Sequence, residues 1–272
     1  MKYFITGNSG FIGTWLMKTL PDSTGVDSKD CDIRDYNKLK EIIQKNNPTH
    51  IIHLAAIANP ETCNNNPELA WSVNVKGTEN VLRIGEELGI KTIVMSSAKV
   101  YKQGNNPQED DELKEEGDNY VKTKLETERL AQKYGAVIIR PFNQEGPGRP
   151  EEYFTSKVIQ AAINGTPIDL WNPQSTREYM DVRDGVKGIQ IISDKGTPGE
   201  AYNLCTGEGL SKLEYIKQAE EVLGRKVDYK TVKDEDKSIL VGNNTKLKSL
   251  GWKQGYTIKQ TIKDQAKSLK KP

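Results

Sequence analysis

Histidine is almost missing from this chain of 272 residues: only His50 and His53 occur, so a histidine-rich metal centre is not expected and no metal ligand set is nominated. Cysteine is scarce as well. Cys31, Cys63 and Cys205 are odd in number and scattered, which fits neither a disulfide framework nor a metal motif and suits a reducing cytoplasm. Neither charge is in excess: 39 Lys and Arg stand against 38 Asp and Glu, a net +1 that exerts no global pull toward nucleic acid or a membrane surface. No apolar run approaches the ~18 residues that a membrane-spanning helix needs. There is no internal repeat and no long linker. The chain opens directly into a strand, leaving no room for a signal peptide, so a cytoplasmic location is expected. Its length suits one large α/β domain, or such a domain with a smaller lobe.

What is present begins at the N-terminus. Tyr3-Phe4-Ile5 is a short apolar run, glycines follow at 7, 10 and 13, and Phe11 to Leu20 reads as a helix. In a strand–turn–helix of this kind, backbone N–H groups at the helix start can hold a diphosphate, and missing Cβ atoms let it approach. Gly7, Ser9, Gly10, Phe11, Ile12 and Gly13 are therefore candidate cofactor residues. Their G-x-x-G-x-x-G spacing differs from the G-x-G-x-x-G of ordinary dinucleotide folds. Thr24 to Asp27 reads as a second strand. Asp27 lies 20 residues after Gly7, where a carboxylate can accept hydrogen bonds from an adenosine ribose and repel a 2′-phosphate. That favours NAD over NADP. Ser28 and Lys29 could offset the repulsion, which keeps NADP open; a plain turn aspartate is the alternative reading.

Alternation of strand and helix continues. Asp35 is placed to cap a helix carrying Leu39, Ile42 and Ile43 on one face. Pro48 to Ala56 is a nearly continuous apolar strand, as expected of a parallel sheet covered on both faces. His53 near its end could touch a cofactor or simply satisfy local groups. Leu69 to Leu88 reads as one long helix, and Thr92 to Met95 as a strand. The pattern predicts a doubly wound sheet, whose ligands bind beyond the carboxyl ends of its strands. Ser96-Ser97-Ala98-Lys99-Val100-Tyr101 occupies such an end. Lys102 to Asp118 reads as a solvated loop. Tyr120 and Lys124 follow on a helix running to about Tyr134 and, four apart, share one face. An ammonium there would lower the phenol's pKa toward acid–base use, and a serine hydroxyl on the same substrate oxygen would complete the set. Taken alone, such a pair is more often a surface contact.

The second half alternates more loosely: a strand Ala136–Arg140, a loop Gly146-Pro147-Gly148, helices over 154–164 and 212–223, strands over 201–204 and 227–231, and two short helices begun by Asn243-Asn244 and Thr257. Lys263 to Lys271 reads as a solvated helix face and frayed end.

These residues together resemble the extended short-chain dehydrogenase/reductase family that works on nucleotide sugars. The motifs are Thr6-Gly7-x-x-Gly10-Phe11-Ile12-Gly13, Asp32-Ile33, His53-Leu54-Ala55-Ala56, Asn74-Val75-x-Gly77-Thr78, Ser96-Ser97-x-x-Val100-Tyr101, Tyr120-x-x-x-Lys124, Arg140-Pro141-Phe142-Asn143 and Arg177-x-Tyr179-x-x-Val182-x-Asp184. The resemblance implies a Rossmann-like fold with a smaller substrate lobe: a dinucleotide half over 1–142, joined by 182–204, and a substrate half over 143–181 and 205–272. It implies Ser97 and Tyr120 as catalytic residues in contact with substrate, and Lys124 as the catalytic residue that orients the nicotinamide ribose. Asp32 and Ile33 would flank adenine, Leu54, Ala55, Ala56 and Pro141 would line the cofactor, and Asn143, Arg177 and Lys233 would meet the nucleotide sugar. It also implies a homodimer built on the two helices near 69–88 and 120–134. Departures narrow the chemistry. The family's 4,6-dehydratases carry an acidic pair where Ala98 and Lys99 stand. Its C3/C5 epimerase-reductases use a cysteine in that loop and a later histidine, both missing here. Hydride transfer at C4 remains. The segment Lys233 to Leu247, with Leu250-Gly251-Trp252, is similar to the ending of GDP-4-keto-6-deoxymannose reductases, while Lys233 and Asn243 replace the usual arginine and aspartate. A 4-ketoreductase is thus expected, with a 4-epimerase and a non-catalytic dinucleotide-binding regulator as alternatives.

Overall fold

The computed structural model describes residues 1–269. Its first half runs β1 (Tyr3–Thr6), α1 (Phe11–Thr19), β2 (Ser23–Val26), α2 (Tyr36–Asn46), β3 (His50–His53), α3 (Pro60–Asn65), α4 (Pro67–Trp71), α5 (Thr78–Leu88), β4 (Lys91–Met95), α6 (Asn119–Lys133) and β5 (Val137–Pro141). There follow β6 (Gln144–Glu145), α7 (Phe154–Asn164), β7 (Ile168–Trp171), β8 (Thr176–Glu178), β9 (Met180–Asp181), α8 (Val182–Lys195), β10 (Ala201–Leu204), β11 (Gly209–Ser211), α9 (Lys212–Leu223), β12 (Tyr229–Lys233), β13 (Ile239–Leu240), α10 (Thr245–Ser249) and α11 (Ile258–Leu269).

Six strands form one parallel sheet in the order β10-β5-β4-β3-β1-β2. The strands are apolar on both faces because both are covered. On β1, Tyr3 and Ile5 pack with Leu16, Val186 and Ile189 of α1 and α8, while Phe4 between them packs with Leu39, Ile43, Val81 and Ile84 of α2 and α5. This is the period-two alternation of a strand, both of whose faces are core. The order reverses beside β1, and the crevice beyond the strand ends opens there. The other lobe packs α7, α9 and α11 around Val158, Ile159, Tyr215, Ile216 and Ile262. Three small sheets flank it, β11-β8-β13, β12-β7 and β6-β9.

Helix signals translate closely into structure. Asp35 caps α2 by accepting from Lys38 N (3.1 Å), and Ser211 with Glu214 forms a capping box on α9. Two expectations need correction. The 69–88 segment is continuously helical but not α-helical throughout: Ser72–Gly77 is a π-helical stretch between α4 and α5. The wider turn presents Asn74, whose side chain takes Ile57 N (2.7 Å) and gives to Ile57 O (3.0 Å) and Thr123 Oγ1 (3.2 Å). Nor is 102–118 a plain solvated loop. Asn203 gives its N–H to Glu109 Oε1 (2.9 Å) and its amide to Pro107 O (2.9 Å), so the segment is tied to β10. The lysine-rich end is helical in α11, with Thr261, Ile262, Gln265 and Ala266 buried on one face; positions 270–272 lie outside the described residues.

Candidate active site

The glycine turn is dictated by close packing. Gly7 has φ +76°, and a Cβ there would stand 2.9 Å from Ala55 N; a Cβ on Gly13 would collide with the Gly7 carbonyl. No side chain caps the start of α1 at Gly10, which leaves its first N–H groups to a ligand. Beside them a cleft of about 410 Å³ is lined by Gly7, Ser9, Gly10, Asp27, Asp32, Ile33, Leu54, Ala55 and Ala56, all nominated from sequence. Phe11, Ile12 and Gly13 open α1 at its edge. Pro141 ends β5 opposite Leu204 and does not line this cleft. Ser28, noted above beside Asp27, lines it too; Val26, Cys31, Arg34, Ile57 and Val73 also line it and were missed, because they flank the motifs rather than belong to them. Hydrogen bonds from Ser9, then Lys29 N (2.8 Å), hold the Asp27 carboxyl below its usual range, so it is ionised at the cleft. Arg34 does the same for Asp32 through bonds of 2.5–3.0 Å.

Ser97, Tyr120 and Lys124 meet beyond the end of β4. Asp118 caps α6 through Val121 N (2.8 Å) and so fixes the first turn that carries Tyr120. Ser97 caps the 3₁₀ turn Ala98–Val100, its Oγ accepting from Lys99 N (3.2 Å), which leaves the hydroxyl hydrogen to donate outward. All three side chains are buried. The expected lowering of the phenol pKa by the ammonium is not found. Burial pushes Tyr120 up to about 12, the Ser97 hydroxyl drawing it back only in part. The lysine donates a hydrogen bond to Met95 O (2.7 Å), with Nζ 5.9 Å from the Tyr120 ring centroid, and burial lowers its pKa to about 8. Desolvation outweighs the charge at that distance.

A buried network braces this group. Ser96 Oγ gives to Glu128 Oε1 (2.5 Å), one helical turn beyond Lys124, and Arg140 of β5 clamps Glu128 through Nε (2.9 Å) and Nη2 (2.8 Å). The second edge of Arg140 reaches Tyr101 Oη (2.9 Å), which gives to Asn203 Oδ1 (2.6 Å). Both ends of the Ser97 turn are thus tied to one guanidinium. His53 is structural: its ring bonds Thr6 Oγ1 (2.7 Å) and Thr78 Oγ1 (2.9 Å), and burial lowers its pKa to about 3.

On the second lobe, Asn143 accepts from Met180 N through its carbonyl (3.0 Å), at the junction. Arg177 on β8 gives to Thr176 O and Ser238 O (both 2.8 Å) and to Ser238 Oγ (2.9 Å). Lys233 lies apart, exposed at the end of β12 and paired with Glu235 (2.8 Å). Two groups went unnoticed in the sequence. Trp171, half exposed at the end of β7, has its carbonyl held by Lys212 Nζ (2.5 Å). The Arg149 guanidinium stacks on Tyr153 (3.5 Å to the ring centroid) and lies 5.4 Å from that of Phe11. Only the loop after Asn143 hinted at Arg149. Among the described residues no cluster of three or more His, Cys, Asp or Glu could hold a metal ion.

Residues 3–205 match the NAD dependent epimerase/dehydratase family. The chain belongs to this family. Membership makes it a nicotinamide-dependent enzyme of the nucleotide-sugar epimerases, dehydratases and reductases, in agreement with the cleft, the turn and the Ser97–Tyr120–Lys124 group. Among curated proteins it is 28% identical over 266 residues to the GDP-6-deoxy-D-talose 4-dehydrogenase of Aggregatibacter actinomycetemcomitans, covering 91% of this chain and 90% of that one. It is 29% identical over 259 residues to the UDP-glucose 4-epimerase of Rhizobium meliloti (strain 1021), covering 84% and 79%. The fold is that of RMD from Pseudomonas aeruginosa complexed with NADPH, with a TM-score of 0.88, 22% identity and 98% of each chain covered.

Proposed function

We propose that this family member transfers hydride at C4 of a nucleotide-linked hexose, as a nucleotide-4-keto-6-deoxyhexose reductase. The observation that carries this reading is the buried meeting of the Ser97 hydroxyl, the Tyr120 phenol and the Lys124 ammonium beyond the end of β4. In this reading residues 1–142 with 182–204 hold the cofactor, and 143–181 with 205–272 hold the substrate. The bound nicotinamide supplies or accepts the hydride. The chain's own residues handle the proton: Ser97 holds the C4 oxygen by donation while Tyr120 gives its proton to that oxygen, or takes one in the reverse direction. Lys124, fixed on Met95 O, supplies positive charge beside the phenol and a donor for the ribose. Asp27 favours NAD, with NADP open. Asn143 and Arg177 take the sugar nucleotide's phosphates, Arg177 by its planar fork, Lys233 lies nearer the base, and Trp171 offers a flat apolar face for it. The talose dehydrogenase likeness and the C-terminal segment support the reductase; the UDP-glucose 4-epimerase likeness supports a second reading, a 4-epimerase that keeps its cofactor bound. Retention of all three catalytic side chains speaks against a non-catalytic regulator. We also propose a homodimer and a cytoplasmic location; no described helix is long and apolar enough to cross a membrane.

Incubation with a GDP-4-keto-6-deoxy sugar and reduced cofactor is expected to oxidise the cofactor stoichiometrically. Epimer formation from UDP-glucose with no net change in cofactor would replace the reductase reading by the epimerase. Tyr120→Phe is expected to lower kcat by at least about 100-fold.

A further inference from the structure

Lys99 stands on the turn that presents Ser97, and its ammonium lies 5.7 Å from the centroid of the Tyr120 ring. Its N–H is spent on Ser97 Oγ, so its direction is set by the serine it neighbours. The side chain is open to solvent yet crowded enough that desolvation lowers its pKa. Among the described residues no side-chain hydrogen bond engages it. The charges acting on it are Asp118, already occupied in capping α6, and the cations Arg177 and Lys114. Beyond Arg177 lies a further half-buried cation, Lys212, whose acidic neighbour is Asp236, itself 3.9 Å from Arg177.

The surroundings of Lys99 therefore carry more positive than negative charge. A neutral ligand closing over Lys99 would strand an unpaired ammonium away from water, which is costly; a ligand bringing an oxyanion to it would not. We propose that Lys99 is an oxyanion-binding residue of the substrate cleft, receiving an anionic oxygen carried by the nucleotide sugar. The oxyanion is the sugar-linked phosphate if the sugar is a 6-deoxyhexose, whose C6 carries no oxygen, or a C6 carboxylate under the 4-epimerase reading. The proposal rests on the nucleotide-sugar reading above and adds to it a specificity-determining residue.

The test is calorimetric binding to the cofactor-loaded protein. A panel of UDP-, GDP- and dTDP-linked glucose first selects the base, and the matching glucose and glucuronate derivatives are then compared for wild type, Lys99→Met and Lys99→Arg, each checked for an unchanged melting temperature. The expected result is at least tenfold weaker binding to Lys99→Met, with recovery in Lys99→Arg. Loss confined to the glucuronate identifies the carboxylate; equal loss for both sugars identifies the phosphate. Unchanged affinity of Lys99→Met for both ligands overturns the proposal. Failure of the wild type to bind any of these or a GDP-4-keto-6-deoxy sugar is a different result, which removes the underlying reading and the proposal with it.

Discussion

At the scale of single residues, burial decides more than pairing does. His53 is held neutral between two threonine hydroxyls. Below its ordinary value of 6.5 the unfolded chain gains a proton that the folded chain refuses until about pH 3. Stability must therefore fall as pH drops through that window, by on the order of 4 kcal/mol at its acid end. Thermal melts of wild type and His53→Gln between pH 7 and pH 4 should show a shallower acid loss for the variant; parallel slopes would contradict it. Lys124 gives the opposite test. If its ammonium is needed, kcat should fall as pH rises through about 8. The residue types and spacing of Ser97, Tyr120 and Lys124 were legible in the sequence. Their ionisation was not, because it depends on how deeply the end of β4 is covered.

Among elements, α6 carries most of the site. Tyr120, Lys124 and Glu128 descend one face at successive turns, and Glu128 is paired inside the protein with Arg140 at 2.8 Å. Glu128 also raises the pKa of Lys124. Glu128→Gln should cost about 3–5 kcal/mol, since it leaves Arg140 buried and unpaired. It should also move the alkaline limb of the kcat profile to lower pH, which a purely structural role would not do; pH profiles of kcat beside denaturant melts would tell the two apart. The bounds of α7 and α9 were readable because propensity, caps and periodicity are local. The π-helical turn at Ser72–Gly77 was not, since its cause lies in the Ile57 loop that Asn74 clasps. The small sheets were equally hidden: β8 takes β11 and β13 as partners from distant stretches whose sequences carry no record of each other.

For the whole molecule, the parallel sheet followed from the order of strands and helices, whereas the smaller substrate lobe was an expectation of the family resemblance. The expected dimer adds a measurable consequence. Leu69 and Trp71 are 45% and 42% exposed on α4, and Trp71 shares a surface hollow with Leu125 and Arg129 of α6. Trp71→Glu is expected to shift the protein from dimer to monomer in sedimentation velocity; a monomeric wild type would refute the assembly. The path of the chain has its own consequence. β10 pairs with β5 only after the chain has left for the second lobe and returned, and the core around Tyr3 and Ile5 includes Leu204, Leu247 and Trp252. A ribosome making this protein must therefore release nearly all of it before the first strand is sealed on that face. A fragment ending near residue 142 would leave one edge of β5 bare and half of the sheet uncovered. Neither lobe can be cut free as a working piece, and stalled chains of this length should be clients of chaperones rather than folded intermediates.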